Sequence, residues 1–355
     1  MIKKTITELQ SLGARMENKS GNRKGGAGPA EGCTLIIKGI PVTIPVKSPY
    51  ALASPYTVKK TDGEYLLFKG GKEFFPVDIV PKPKFYDYTT RDGIRYSKIA
   101  LLHGRDCLAT TVIQKCIYWN TDKRCKFCGI ELSLNDKMTI ERKTAEQLAE
   151  VVQAAKKLDN IKHIVLTTGT VHSSQYGIKY VSNCVRSIKS VTDLPIHVQI
   201  GPPSDTDMLV ELKEAGVDTI GIHIESFDFN ILTEIAPAKS ALGLKRYSKA
   251  WEKSVEIFGI NQVSSFLIAG LGESRKSIID GSIYLAERGV YPFLVPLRPI
   301  PGSLLQNASP PPPEFMIELY EEVSQILTKS NISSKKNKAG CVRCGACSAL
   351  PEFEL

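Results

Sequence analysis

No stretch of this chain approaches the roughly 20 consecutive apolar residues of a membrane-spanning helix. Its first residues, Met1-Ile-Lys-Lys, run into polar sequence instead of the apolar core of a secretory signal, so a cytoplasmic protein with reduced thiols and no membrane partner is expected. Basic patches interleaved with aromatics are also missing, which argues against nucleic acid as a partner. There is no internal repeat beyond an alternation of strands and helices. At 355 residues the chain can bury a full core without disulfide staples, and 42% hydrophobic content excludes disorder. Against these absences stand nine cysteines and a net charge of +9, from 46 Lys+Arg and 37 Asp+Glu. Six of the cysteines fall into two tight clusters, which in a reducing compartment points to metal chemistry. The surplus charge suits an anionic substrate or an acidic partner.

Three regions are expected. Residues 1–97 read as a small β-rich extension: a Gly-rich basic arm over 16–32, then short alternating runs at 34–38, 41–46 and 64–68. Residues 98–305 alternate β-branched runs with helical segments. Strand candidates lie at 108–113, 163–167, 196–200, 219–224, 263–269 and 291–297. Thr144-Ala-Glu-Gln147 has the pattern of a capping box, and Leu148, Val151, Val152 and Ala155 share one helix face behind it. Six strand-helix units imply an α/β fold with parallel strands, an open sheet or a barrel, and a ligand site at the strands' C-terminal ends. Residues 306–355 contain the spacer Ser309-Pro-Pro-Pro-Pro313, one helix to about Lys329, a basic linker to Lys338, and a cysteine-rich tail whose linker lets it fold back over the barrel mouth.

Cys116, Cys125 and Cys128 follow the first of the six strands in the spacing C-x8-C-x2-C. Thiolates favour zinc or iron–sulfur over hard cations, and three of them leave one metal position open. A zinc knuckle completed by Cys107 or a distant histidine is the alternative. Phe127, with Tyr118 and Trp119 nearby, is placed to shield such a centre. Here the chain resembles the radical S-adenosylmethionine (SAM) superfamily. That resemblance implies a partial (β/α)6 TIM-like barrel and a [4Fe–4S] cluster held by Cys116, Cys125 and Cys128 that chelates and cleaves SAM. The family's usual first gap is x3, where this chain has x8. By the same resemblance, Thr167, Thr168, Gly169 and Thr170 stand where a Gly-Gly-Glu holds the SAM amino group. Glu225 faces a ribose or amino group, and Gly270 and Gly272 let the backbone approach an adenine. Arg298 is a partner for the SAM carboxylate or part of a salt bridge. His223 reads as a core histidine or a substrate contact, and Cys184 as a small buried hydrophobe.

The tail spacing, Cys341-x2-Cys344-x2-Cys347, is ferredoxin-like, with Ser348, Cys33, Cys107 or a substrate as fourth ligand. Its readings are an auxiliary [4Fe–4S] cluster that donates sulfur or binds substrate, an electron-relay cluster, or a zinc knot. The runs 221–226 and 266–274 resemble biotin and lipoyl synthases. Arm, turn and tail together resemble the biotin-synthase-related group, which includes the archaeal two-subunit lipoyl synthases and a family encoded beside bacterial nitrilase genes. The lipoyl resemblance implies sulfur insertion into an octanoyl chain on an acidic acyl-carrier or lipoyl-domain protein. It also implies a second radical SAM subunit, an external electron donor and a role for Ser348. The competing expectations are another radical SAM conversion in nitrile-related metabolism and a non-catalytic iron–sulfur or zinc protein that binds nucleic acid.

Overall fold

The computed structural model describes residues 1–16, 25 and 32–354. Apart from Gly25, the arm at 23–29 lies outside the described residues. Two sheets organise the chain. The first contains β1 (Arg15–Met16), β2 (Gly32–Ile37), β3 (Ile40–Pro45), β4 (Tyr56–Thr61), β5 (Glu64–Lys69) and β6 (Lys72–Ile79), in the order β1-β4-β5-β6-β2-β3. A helix at Ile2–Leu12, not anticipated from sequence, packs on it. This helix buries Thr5, Thr7, Glu8 and Gln10 along with Ile6 and Leu9, so its inner face carries no clean apolar stripe.

The second sheet contains β7 (Leu101–His103), β8 (Cys107–Ile113), β9 (His163–Thr168), β10 (Ile196–Gln199), β11 (Thr219–Gly221), β12 (Val263–Ala269) and β13 (Val290–Pro296). They follow one another in sequence order across the sheet. Strands β8 to β13 are parallel and β7 pairs antiparallel with β8, which gives an α/β partial barrel with two free edges, β7 and β13. The strand expected at 219–224 is shorter. Beyond Gly221 the pairing lapses, with Ile224 N donating to Ser265 Oγ (3.1 Å), and it returns only as an isolated bridge to Leu267 from Glu225, which takes a positive φ of 77°. The helix Ala145–Asp159 begins at Thr144 with both capping-box hydrogen bonds present and buries Leu148, Val151, Val152 and Ala155.

After the helix Pro313–Lys329, the basic segment is tied down along its length. Ser333 N donates to Asn261 Oδ1 (2.7 Å), Gln262 Nε2 to Lys336 O (2.9 Å) and Lys338 N to Gln262 Oε1 (3.1 Å). Asn261 and Gln262 immediately precede β12, so the segment runs beneath the strands' N-terminal ends. The tail continues there: Gly340 N donates to His163 Nδ1 (3.1 Å) and Thr219 Oγ1 to Ala339 O (3.2 Å). It therefore closes the end opposite the ligand-binding mouth, a correction to the placement expected from linker length. There it also bridges the two free edges. His103 of β7 touches Cys344 and Cys347, while Ser348 donates to Leu294 O of β13.

Candidate active site and tail thiols

The eight residues between Cys116 and Cys125 fold into consecutive turns: Trp119 N donates to Cys116 O, Thr121 N to Tyr118 O and Arg124 N to Thr121 O. The Arg124 guanidinium stacks 3.3 Å above the Trp119 ring and donates to Cys128 O (3.2 Å), which clips the loop shut. Compaction of this kind lets an x8 gap deliver its cysteines as neighbours. Trp119 thus braces the loop through Arg124. Phe127 packs with Ile235, Leu271 and Leu297 in a small apolar cluster that fixes the closing C-x2-C. Gly25 of the N-terminal arm reaches this loop, exchanging hydrogen bonds with Ser133.

All three thiols are free and half-buried. Burial pushes Cys125 up to about 11 and Cys128 up to about 12, and the neighbouring thiols add to both. Among the described residues no three His, Cys, Asp or Glu side chains already stand round one point. The fit to a thiolate-held iron–sulfur group therefore rests on donor chemistry and placement: three neighbouring soft donors at the strands' C-terminal ends. Raised thiol pKa values mean that metal binding must release protons.

Beside Cys125 lies an ion pair that sequence reading missed. Lys239 donates to Glu225 Oε1 (2.7 Å) and to His223 O (2.6 Å). Desolvation works against the charge on Lys239, but Glu225 outweighs it and the pKa rises. Glu225 Oε2 is buried without a hydrogen-bond partner. The signal available in the sequence was a lysine within the apolar run Ile235-Ala-Pro-Ala-Lys239, fourteen residues after Glu225.

The other expected residues fall into different places. Gly169 sits against the cysteine loop: its N–H donates to Ile113 O (2.8 Å), Ile117 N donates to Thr170 O (2.9 Å), and a Cβ at Gly169 would lie 2.0 Å from Lys115 O. Thr167 approaches Thr111 (3.4 Å), and the Thr168 hydroxyl donates to Gly169 O (2.9 Å). The bare faces of Gly270 and Gly272 meet Pro311 and Ile231 of this chain, and Glu273 accepts the N–H groups of Gly270 and Leu271, both at 2.9 Å. Arg298 is drawn away from the loop to the tail seam, donating to Thr43 O (2.9 Å) and Cys347 O (3.4 Å). Ser348 donates to Leu294 O and accepts from Leu350 N (3.2 Å), so its hydroxyl is engaged within the fold. Cys184 is buried in a helix, as expected of a packing residue. Cys33 stands in β2, where burial raises it to about 11.

The tail thiols gather at the opposite end, around the β7–β8 hairpin. Burial raises Cys341. Burial would also raise Cys347, but the facing His103, with Arg298, brings it down to about 6. Along β8 the seven residues from Cys107, which packs against Cys344, to Ile113, three residues before Cys116, rise roughly 20 Å at about 3.3 Å per residue, while Cys341 reaches further up, to Gln199 at the end of β10. Between tail and loop the interior is packed: His223 stacks on Phe266 at 4.2 Å and Phe266 meets Phe293 at 5.1 Å.

Buried His197 helps to seat the tail through Thr219 (2.7 Å). Burial lowers it from 6.5 to about 3, so the folded state resists protonation that the unfolded chain accepts. Its contribution is complete above pH 6.5 and is lost as pH falls towards 3, amounting to roughly 2 kcal/mol lost by pH 5. Urea midpoints are accordingly expected to fall between pH 7.5 and pH 5, and the fall should shrink in His197→Gln. Identical slopes in the two proteins would refute it.

Residues 122–280 match the family model described as the radical SAM superfamily, a span that includes Cys125, Cys128, Glu225, Lys239, Gly270 and Gly272. This stretch is a radical SAM domain. The family implies a [4Fe–4S] cluster and SAM as cofactors. The domain is similar to the bacteriochlorophyllide c C-7(1)-hydroxylase of Chlorobaculum limnaeum, 27% identical over 230 residues that cover 59% of this chain and 57% of that protein. An uncharacterised protein of Methanocaldococcus jannaschii is 24% identical over 193 residues, 53% of this chain and 48% of that one. The chain thus spans about half the length of the curated relatives it matches. Among solved structures, methylornithine synthase has a TM-score of 0.49 at 15% identity, covering 64% of this chain and 63% of that one. The FeFe-hydrogenase maturase HydG from Carboxydothermus hydrogenoformans has 0.48 at 19% identity, covering 70% and 56%. Neither curated relative is named as a lipoyl synthase. No helix among the described residues is long and apolar enough to cross a membrane.

Proposed function

We propose that this radical SAM enzyme converts an unactivated C–H bond of a substrate entering at the strands' C-terminal ends, with the tail thiols serving a site remote from that chemistry. When bound at Cys116, Cys125 and Cys128, a [4Fe–4S] cluster with SAM supplies a 5′-deoxyadenosyl radical able to remove hydrogen from carbon. The chain's own residues shape that mouth. Lys239 and the unpartnered oxygen of Glu225 place one cationic and one anionic group beside Cys125, a pair suited to a ligand with both carboxylate and amino groups. Phe127 and its apolar neighbours keep water from the same side.

The observation that carries this reading is the placement of Cys344 and Cys347 at the β7–β8 hairpin, away from the loop of Cys116, Cys125 and Cys128 that follows β8. Sulfur insertion into an octanoyl chain requires a sulfide within bonding reach of the attacked carbon. The packed interior around His223, Phe266 and Phe293 works against that reach, and so favours C–H conversion without sulfur donation. The hydroxylase among the relatives, named for a reaction at a carbon position, supports the same reading.

The test is anaerobic incubation of the reconstituted full chain with SAM, a chemical reductant and an octanoyl peptide. The expected outcome is 5′-deoxyadenosine with no sulfur gained by the peptide. A peptide carrying two new sulfur atoms would restore the lipoyl reading. Cys128→Ala is expected to bring 5′-deoxyadenosine down to the level without enzyme, measured by chromatography of the quenched reaction.

A further inference from the structure

The β7–β8 hairpin turns two donors towards the tail. His103 and Cys107 are direct cross-strand partners, so their side chains leave one face of the ladder. Nδ1 of His103 lies 3.4 Å from Cys344 Sγ and Nε2 lies 3.2 Å from Cys347 Sγ. Cys107, 1% exposed, packs against Cys344 in a cluster completed by Ala109 and Val165. At the hairpin turn, a Cβ on Gly104 would lie 2.5 Å from Cys344 Sγ, so the turn is shaped around that sulfur. From the far side Gln199 Nε2 donates to Cys341 Sγ (3.3 Å). Five soft or borderline donors, two from the hairpin and three from the tail, thus lie in one neighbourhood, without yet standing round a single point.

We propose that Cys341, Cys344 and Cys347 bind an iron–sulfur cluster whose fourth protein ligand is Cys107 of the barrel, with His103 as a positioning residue that hydrogen-bonds the bound thiolates. This rests on reading the tail as a cluster site. Of the other ligands weighed from sequence, Ser348 is held by Leu294 and Leu350, and Cys33 lies in the first sheet, its thiol shifted by burial alone. Four thiolates make a closed cubane, whereas three leave one iron open. A closed cluster offers no position for a substrate atom, which distinguishes this site from the Cys116 loop. Beside it lies a cleft of about 580 Å³ whose lining includes Arg105, Lys335, Arg343 and Cys344. Hydrogen bonds to sulfur and exposure to solvent both tune the potential of such a cluster.

The full chain carrying C116A/C125A/C128A isolates the tail site. After anaerobic reconstitution it is expected to hold about four irons and four sulfides. Adding Cys107→Ala is expected to lower the iron content and give the electron paramagnetic resonance spectrum of a three-iron cluster. Cys107→Ser, which keeps a ligating atom and controls for folding, should retain four irons with a shifted potential. His103→Gln should retain four irons with a shifted potential as well. If Cys107→Ala leaves the spectrum unchanged, Cys107 is not the ligand and the proposal falls. It falls equally if the three-iron spectrum arises from His103→Ala instead. Failure of the underlying reading looks different: zinc without sulfide in the isolating background, or iron that persists after C341A/C344A/C347A is added.

Discussion

Lys239→Met is expected to lower stability by about 3 kcal/mol and to abolish SAM binding. The substitution leaves the Glu225 carboxylate, whose side chain is 7% exposed, without its ion-pair partner at 2.7 Å. Removing one member of a buried pair typically costs ~3–5 kcal/mol, because the remaining charge stays desolvated. The lower end applies because Lys239 keeps 26% of its side-chain exposure. Glu225 is poorly placed to escape, since its backbone is fixed by Phe266 O (3.0 Å) and by Ile268 N (2.9 Å) at a positive φ of 77°. That conformation itself stores strain, a pattern seen where structure holds a side chain for function. Adding Glu225→Gln should recover a large part of the lost stability while SAM binding stays absent, a non-additivity that denaturant melts and equilibrium dialysis would read out. Additive losses would show that the pair is not coupled as described.

Gly169→Ala is expected to empty the Cys116 site of iron, although it adds one methyl group. The new Cβ would lie 2.0 Å from Lys115 O and 2.7 Å from Lys115 C, both backbone atoms. Backbone cannot rotate aside as a side chain can, so the segment leading into Cys116 must move. Overpacking of this kind costs ~1–3 kcal/mol. The larger consequence is geometric: Ile117 N loses its alignment with Thr170 O, and Cys116 leaves its neighbours. Iron analysis should show the Cys116 site unfilled in otherwise folded protein. Full iron content in Gly169→Ala would mean that the loop tolerates the displacement.

Local chemistry made much of the barrel legible. The six parallel strands read as short runs rich in β-branched residues and are buried along most of their length, and the helix after β8 declares itself through Thr144 and Gln147, three residues apart. The cysteine loop was equally local. What escaped was carried by distance along the chain. Lys239 is paired with Glu225 across a turn and two short helices, and no periodicity marks it. His103 belongs to a three-residue strand too short to alternate. Cys107 and Cys344 are far apart in sequence, and no linker length specifies which end of a barrel a tail will close. Arg298 follows the last strand, where a ligand contact was a fair expectation. A carbonyl from β3 and one from the tail claim it instead.

The wedge formed by the tail between β7 and β13 gives residues 344–348 a late structural task. Thr43 N donates to Ala346 O (2.7 Å) and Gln10 Nε2 to the same carbonyl (3.0 Å), so the first sheet, both barrel edges and the tail meet at one seam. During synthesis that seam has no filling until residues 340–350 have been made and have docked. Until then the nascent protein presents two unpaired strand edges, a state prone to association. Contacts of such long sequence separation form late and slowly. Closure of the barrel's two edges is therefore the last event at this seam, complete only when Ala346 has met Thr43 and Gln10 and Ser348 has met Leu294.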